Sequence, residues 1–78
     1  MTGDSPFLYD AATDSLYVKV RPGPSVDNTV DDARDLVVDL DANGEVVGYD
    51  IQHASRHPDV IAEALTALRS AQGHSKAA

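Results

Sequence analysis

Residues 36–51 read LVVDLDANGEVVGYDI and predict a β-hairpin. Two alternating, β-branched segments flank Asn43-Gly44, the dipeptide best suited to a two-residue type I′ turn. With these two residues in the loop, three apolar pairs face each other across the strands: Leu40 with Val47, Val38 with Tyr49, and Leu36 with Ile51. A slip of one residue would move one strand's apolar side chains to the other face, so the pattern fixes the register.

Two further strands are predicted before this hairpin. Residues 7–9 form a short aromatic strand, and residues 15–21 alternate with period two after the turn-like residues 10–14. The alternation points Leu16, Val18 and Val20 to the core. Two prolines and a glycine in residues 22–24 end the second strand, and residues 28–31 could add a brief strand.

A C-terminal helix follows the hairpin. Pro58 suits the first helical position, where a missing N–H costs nothing, and Gly73 suits a left-handed C-terminal cap. Six residues form an apolar stripe: Val60, Ile61, Ala64, Leu65, Leu68 and Ala71. About fifteen residues span roughly 22 Å, enough to cross a four-stranded sheet.

The predicted fold is therefore α+β, a mostly antiparallel β-meander of about four strands with one C-terminal α-helix packed on one face. We expect residues 1–6 to be a flexible leader, residues 7–72 a single domain, and residues 73–78 a disordered tail. A chain of 78 residues has no room for a second domain.

Composition excludes several function classes. Thirteen acidic residues against six basic ones give a net charge of −7, which repels phosphate backbones and anionic membranes. The sequence has no cysteine, residues 1–6 have neither a basic region nor an apolar run, and no apolar run is long enough to span a bilayer. A small core leaves little room for a closed catalytic pocket. We expect a cytoplasmic, non-catalytic protein without a cofactor that binds neither nucleic acid nor membranes.

Three aspartates of the hairpin are the candidate metal ligands. Asp39, Asp41 and Asp50 resemble positions of an EF-hand calcium loop, but the flanking segments are strands where an EF-hand has helices. In the hairpin register the three carboxylates share one face, with Asp41 opposite Val46 and Asp39 opposite Gly48. They could hold a hard cation, act as an acid–base pair, or form a solvated face that discourages aggregation.

Other polar residues have weaker patterns. His53 and His57 are four apart, as zinc or nickel ligands on a helix would be, but the proline after His57 places them in a strand-to-helix connection, where we expect polar linker residues. Ser55 lacks the motif of a hydrolase nucleophile. Tyr17 points away from the core and is either an ordinary exposed tyrosine or an anchor for a partner.

An ordered series of short segments resembles the DUF2283 family of small prokaryotic proteins. The series comprises Tyr9-Asp10, Asp14-Ser15-Leu16-Tyr17-Val18, Val38-Asp39-Leu40-Asp41 with Gly44, Val46-Val47-Gly48-Tyr49-Asp50-Ile51, and Ala54-Ser55. The sequence departs from the family at Tyr49-Asp50, where members often have Ile-Glu. The resemblance implies a small α+β domain of unknown function without established site residues, and it suggests an antitoxin-like, partner-binding role.

These observations lead to an expected function. One sheet face and the sheet edges stay uncovered in a very small domain, so we expect self-association, most simply as a homodimer. We predict an interaction module, an acidic partner that masks a basic protein. The alternative is a divalent-cation-binding protein or small hydrolase that uses Asp39, Asp41 and Asp50.

Overall fold

The computed structural model describes residues 5–75, with side chains described as far as residue 72. Within this range the chain forms five β-strands, two short 3₁₀-helices and one α-helix. The strands are β1 (Phe7–Asp10), β2 (Ser15–Lys19), β3 (Asp27–Asp31), β4 (Leu36–Leu40) and β5 (Val46–Ile51). The 3₁₀-helices are Asp32–Arg34 and Ala54–Arg56, and the α-helix is α1 (Pro58–Ser75). The predicted α+β class is confirmed.

The strands form one antiparallel sheet in the order β1-β2-β5-β4-β3. It has one strand more than expected, because the brief segment before β4 pairs along its whole length with β4. The order is also not that of a simple meander. After β2 the proline-rich loop carries the chain past the β4–β5 turn to the far edge, where Val26 N donates to Leu40 O at 2.9 Å. The chain then returns through β4 and β5, so that β5 pairs with β2.

The β4–β5 register matches the prediction over most of its length and fails near the turn. Leu36 pairs with Ile51 and Val38 with Tyr49, as expected. Leu40, however, pairs with Val46 instead of Val47. Val47 is an extra residue on β5, a β-bulge, and its carbonyl accepts bonds from Val20 N (2.7 Å) and Arg21 N (3.2 Å). The expected Leu40–Val47 and Asp41–Val46 pairs are therefore wrong.

The cause of the bulge is a loop of three residues where two were expected. Asp41 N donates to Glu45 O at 2.9 Å and Gly44 N donates to Asp41 O at 3.0 Å. Gly44 alone within the loop has a positive φ, +79°, so Asn43 does not adopt the type I′ conformation. Asp41 favours this loop because its carboxylate accepts the N–H groups of Asn43 and Glu45. The extra loop residue shifts the register by one, and the bulge restores it.

The core lies between one face of the sheet and α1. Its buried members are Val18, Val20, Leu36, Tyr49, Ile51, Ala54, Val60, Ala64 and Leu68. The predicted inward residues of β2 and the predicted stripe of α1 are confirmed, apart from Leu65, which does not pack in this cluster. The helix contacts the central strands β2 and β5. The edge strands β1 and β3 are largely exposed, and within residues 5–75 no helix packs on the opposite face of the sheet.

The ends of the domain differ from the expectation in one respect. The helix begins at Pro58, as predicted, but it runs through Gly73, the expected cap, to Ser75. A glycine costs a helix only about 1 kcal/mol relative to alanine, so it does not force an end. The remainder of the predicted tail, residues 76–78, and residues 1–4 of the predicted leader lie outside the described residues.

Candidate functional site

The face of the sheet that α1 does not cover, here called the open face, combines apolar and acidic side chains. Residues that pair across antiparallel strands project from the same face. One row of such pairs runs across all five strands: Leu8, Tyr17, Asp50, Val37 and Val30. The neighbouring row contains Lys19, Gly48, Asp39 and Asn28. Asp50 thus lies on the central strand, at the middle of an otherwise apolar row.

Asp50 is a part-buried carboxylate on the open face. Its direct neighbours across the sheet are Tyr17 on β2 and Val37 on β4. Burial, and then the negative charge of Asp39, raise the pKa of Asp50. Among the described residues, neither a side-chain hydrogen bond nor an ion pair reaches its carboxylate. The open face therefore holds a desolvated acid whose charge is left uncompensated.

Tyr17 organises the second carboxylate of this face. Its hydroxyl donates to Asp39 Oδ2 at 3.1 Å, across the intervening strand β5. The tyrosine can cross because Gly48 lies beneath it, and a Cβ on Gly48 would overlap the hydroxyl. Burial, the bond to Asp39 and the charges of Asp39 and Asp50 raise the pKa of Tyr17 to about 12. Tyr17 is therefore held in place on the open face.

The three aspartates predicted as metal ligands are used differently. Asp39 and Asp50 share the open face, as expected from the register, with Asp39 opposite Gly48. Asp41 instead turns its carboxylate into the loop, where it accepts Asn43 N at 2.8 Å and Glu45 N at 3.0 Å. Within the described side chains, no group of three His, Asp or Glu residues is arranged to hold a metal ion. Cation binding by these residues stays a prediction.

The two histidines converge on one acid in the strand-to-helix connection. His57 Nε2 lies 3.0 Å and His53 Nδ1 lies 3.3 Å from Asp35 Oδ2. The bond from His57, and then the contact with His53, lower the pKa of Asp35. The predicted linker position of the histidines is confirmed. No sequence pattern pointed to Asp35 as their common partner, because it lies in a turn before β4.

A second polar cluster joins the β1–β2 turn to the segment before α1. Asp14 Oδ2 accepts the Ser55 hydroxyl at 2.6 Å, and Asp14 Oδ1 accepts the Tyr9 hydroxyl at 2.8 Å. Ser55 N also donates to the Asp14 carboxylate, and Ala54 N donates to Asp14 O at 2.8 Å. The bonds from Ser55, and then that from Tyr9, lower the pKa of Asp14. The Ser55 hydroxyl thus donates to a carboxylate, and among the side chains described up to residue 72 it forms no hydrogen bond with an imidazole.

These two clusters hold every non-glycine residue of the described chain that has a positive φ. Asp14 has φ +54°, Asp35 +51° and His53 +50°. All three lie at the end of the sheet where Leu16, Leu36 and Ile51 pair. Asp14 and Asp35 lie in turns between adjacent strands, and His53 lies in the connection from β5 to α1. Aspartate tolerates this conformation better than most residues. The hydrogen bonds of the clusters fix these turns, which indicates a structural role.

Two clefts flank the C-terminal half of α1. One, of about 550 Å³, lies beside Pro6, Lys19 and Leu68, and the other, of about 730 Å³, lies beside Gly44, Tyr49 and Ser70. Arg21 lines both, and its guanidinium already bonds Val46 O at 2.8 Å and Glu45 Oε1 at 3.1 Å. Neither cleft contains Asp39, Asp50 or the two polar clusters. The acidic residues of the open face therefore lie outside both clefts.

Across residues 5–75, no helix has both the length and the apolar character needed to span a bilayer.

Comparisons with known proteins agree with the resemblance seen in the sequence. Comparison with curated proteins and with solved structures gives no significant match. Residues 7–55 match a family described as protein of unknown function (DUF2283). This segment covers all five strands and the polar turn that joins Asp14 to Ser55. The chain is a member of the DUF2283 family.

Proposed function

We propose that this protein is a cytoplasmic, non-catalytic interaction module whose open face binds a basic partner protein. The observation that carries the proposal is the part-buried carboxylate of Asp50 at the centre of that face, which no cation of the described residues pairs with. Desolvating a carboxylate costs free energy, and the attraction of an arriving lysine or arginine would offset part of that cost. An antitoxin-like role, in which the acidic face masks a basic toxin, is one form of this function.

The distribution of charge supports a basic partner. The chain carries a net charge of −7. Two arginines are already neutralised within the fold: Arg21 pairs with Glu45 at 3.1 Å, and Arg34 pairs with Asp31 at 2.8 Å and Glu63 at 2.7 Å. On the open face Lys19 donates to Gly23 O at 3.1 Å, and it makes no ion pair with a described carboxylate. The charges of Asp39 and Asp50 can therefore attract a cationic surface and speed its approach.

The apolar surroundings make the open face a better binding surface than a solvated acidic patch. Val30 is 62% exposed and Leu8 is 73% exposed at opposite ends of the row that contains Asp50. A partner that covers this row would bury apolar area and lower the local dielectric constant around its own cation and Asp50. Tyr17, held over Gly48 by Asp39, supplies a rigid aromatic surface beside them.

The polar clusters support a non-catalytic role. The Ser55 hydroxyl donates to Asp14, and within the described side chains it does not make the serine–imidazole hydrogen bond of a hydrolase nucleophile. His53 and His57 both face Asp35, and the three groups lie in turns at the end of the sheet where positive φ angles occur. These contacts stabilise the left-handed turns at that end of the sheet, which accounts for them without a catalytic role.

The proposal is tested by comparing matched variants as bait in a lysate of the source organism. The double variant Asp39→Asn, Asp50→Asn removes two charges from the open face, and Asp27→Asn, Asp59→Asn removes two exposed charges elsewhere. We expect wild type and the control pair to retain a basic protein that moderate salt releases, and the Asp39/Asp50 variant to lose it. Equal recovery by all three baits, or recovery of no basic protein by wild type, would overturn the proposal.

A further inference from the structure

The edge strand β1 (Phe7–Asp10) exposes three large apolar side chains in succession. Phe7 is 42% exposed, Leu8 is 73% exposed and Tyr9 is 55% exposed. Natural proteins usually protect an edge strand with charges, prolines or bulges, because its unpaired backbone groups can pair with another chain. Within β1 the sole formal charge is that of Asp10, at the end of the strand.

The hydrogen-bond pattern identifies which backbone groups of β1 face outward. Lys19 N donates to Pro6 O at 2.7 Å, so residue 6 is a hydrogen-bonded position of the β1–β2 pair. Such positions alternate in an antiparallel pair, which makes Leu8 and Asp10 hydrogen-bonded to β2 as well. The N–H and C=O groups of Phe7 and Tyr9 therefore point away from the sheet. One of these four groups, Phe7 N, donates to Ser5 Oγ at 3.2 Å, a local and exposed bond.

The opposite edge of the sheet is protected. Strand β3 (Asp27–Asp31) begins and ends with aspartate, and Asp31 is held by Arg34 at 2.8 Å. A copy of this acidic edge would repel a second copy of itself, because like charges directly opposite each other are destabilising. A contact between β1 of one copy and β3 of another would also leave free edges at both ends and would not close. These considerations leave β1 as the edge that can pair with itself.

We propose that two copies of the chain associate through antiparallel pairing of their β1 strands, which joins two five-stranded sheets into one continuous sheet. One register uses all the outward-facing backbone N–H and C=O groups of Phe7 and Tyr9. In it, Phe7 of each copy pairs with Tyr9 of the other, and the two residues of each pair exchange backbone hydrogen bonds. Leu8 then faces Leu8 on the two-fold axis. The proposal goes beyond the binding of a basic partner and does not depend on it.

This register satisfies the side chains as well as the backbone. It makes two Phe–Tyr pairs on the face that carries α1 and one Leu–Leu pair on the open face, and such cross-strand pairs stabilise sheets. It overlaps residues 6–10 of both copies and places Asp10 opposite Pro6. The two neighbouring symmetric registers are less favourable. If Phe7 pairs with Phe7, Tyr9 has no partner in the other β1 strand. If Tyr9 pairs with Tyr9, Leu8 lies opposite Asp10.

The oligomeric state of matched edge variants tests the proposal. Leu8→Lys places two like charges on the axis of the dimer, and Val30→Lys makes the same change on the open face at the far edge. By sedimentation velocity we expect wild type and Val30→Lys to be dimers and Leu8→Lys to be a monomer with an unchanged circular dichroism spectrum. A wild type that stays monomeric up to about 1 mM, a Leu8→Lys dimer, or a Val30→Lys monomer would each overturn the proposal.

Two single-cysteine variants test the register, and they also cover the case in which Leu8→Lys does not fold. The chain has no cysteine, so a single introduced thiol reports only on the contact between copies. Non-hydrogen-bonded antiparallel neighbours have Cα atoms about 4.5 Å apart, close enough for a disulfide. We expect Leu8→Cys to form a disulfide dimer on mild oxidation and Asp10→Cys to stay reduced. Equal cross-linking of both variants, or none of either, would contradict the register.

Discussion

Tyr17 and Asp39 lie on strands that do not pair with each other, yet the tyrosine hydroxyl donates to Asp39 Oδ2 at 3.1 Å. The ring crosses strand β5 at Gly48, where a side chain would occupy its place. This bond fixes an aromatic ring and a carboxylate beside Asp50, the residue on which the proposed binding function depends. The glycine, the tyrosine and Asp39 therefore form one packed unit beside Asp50.

We predict that Gly48→Ala destabilises the protein because the new methyl group overlaps Tyr17. Overfilling a packed site of this kind costs about 1–3 kcal/mol of the free energy of unfolding. Equilibrium urea unfolding measures it. In a Tyr17→Ala background the same substitution should cost much less, since the overlapping ring is gone.

A matched glycine separates this packing effect from backbone strain. Gly44 has φ +79°, and a methyl group added there would meet no other atom within 4 Å. The cost of Gly44→Ala comes from the backbone conformation alone, so it should be the same with or without Tyr17. If Gly48→Ala were as costly in the Tyr17→Ala background as in wild type, the packing explanation would be wrong.

The pKa of Tyr17 predicts a loss of stability at alkaline pH. Burial, the bond to Asp39 and the nearby negative charges raise the pKa of Tyr17 from 10.0 to about 12 in the folded state. The contribution of this group is fully present below pH 10.0 and is lost as the pH rises through about 12. We expect Tyr17→Phe to flatten the decline of stability in this window. Ultraviolet titration should show that the variant has lost a phenol that ionises near pH 12, and ionisation of that phenol near pH 10 in wild type would contradict the contact.

The Asp14 cluster predicts sensitivity at the acidic end. Hydrogen bonds from Ser55 and Tyr9 lower the pKa of Asp14 in the folded state. The contribution of Asp14 to the free energy of unfolding is therefore present above pH 3.8, its ordinary pKa, and is lost as the pH falls through the lower pKa of the folded state. Asp14→Ala removes these bonds and places alanine at φ +54°. We expect its melting temperature at neutral pH to fall more than that of Asp14→Asn, which tolerates the backbone and keeps one acceptor oxygen. An equal fall for both variants would show that the bonds and the left-handed turn do not matter.

Cation binding gives a further prediction, for the competing hypothesis that Asp39, Asp41 and Asp50 hold a metal. The Asp41 carboxylate is occupied by two backbone N–H groups of its own loop. We therefore expect calorimetric titrations with calcium, magnesium and manganese to show no binding that depends on Asp39. Heat of binding that Asp39→Asn abolishes would favour the cation hypothesis instead.

The central hairpin is well predicted from the sequence because one feature constrains it strongly. Leu36, Val38, Tyr49 and Ile51 must share one face, and that requirement holds the register even though the loop differs from the expected type. The exact loop could not be predicted from Asn43-Gly44, since a three-residue loop with Gly44 at positive φ uses the same dipeptide. Choosing between the loops depends on the Asp41 carboxylate and on a bulge at Val47 that burial stabilises.

The parts that sequence patterns missed depend on contacts between distant segments. Strand β3 (Asp27–Asp31) has few apolar residues, and it becomes a strand by pairing with β4. Asp14 and Ser55 are separated by 41 positions and meet only because β2 pairs with β5. The shared face of Asp39 and Asp50 was predictable from period-two alternation, but the burial of Asp50 between Tyr17 and Val37 required the strand order.

The most direct test of the open face as a binding surface is the stability of Asp50→Asn. Burial and the charge of Asp39 raise the pKa of Asp50 in the folded state. The favourable contribution of this group to the free energy of unfolding is therefore present below pH 3.8 and is lost as the pH rises through the folded-state pKa. An acid kept at this position for binding should cost the free protein stability at neutral pH.

Urea unfolding of wild type and Asp50→Asn across the pH range makes the measurement, with Asp27→Asn as the control for loss of one charge. We predict that Asp50→Asn has the higher free energy of unfolding at neutral pH, that its advantage over wild type narrows toward pH 3.8, and that Asp27→Asn shows a smaller change. An Asp50→Asn variant that is less stable than wild type at neutral pH would mean that the carboxylate serves the fold, and it would contradict the account.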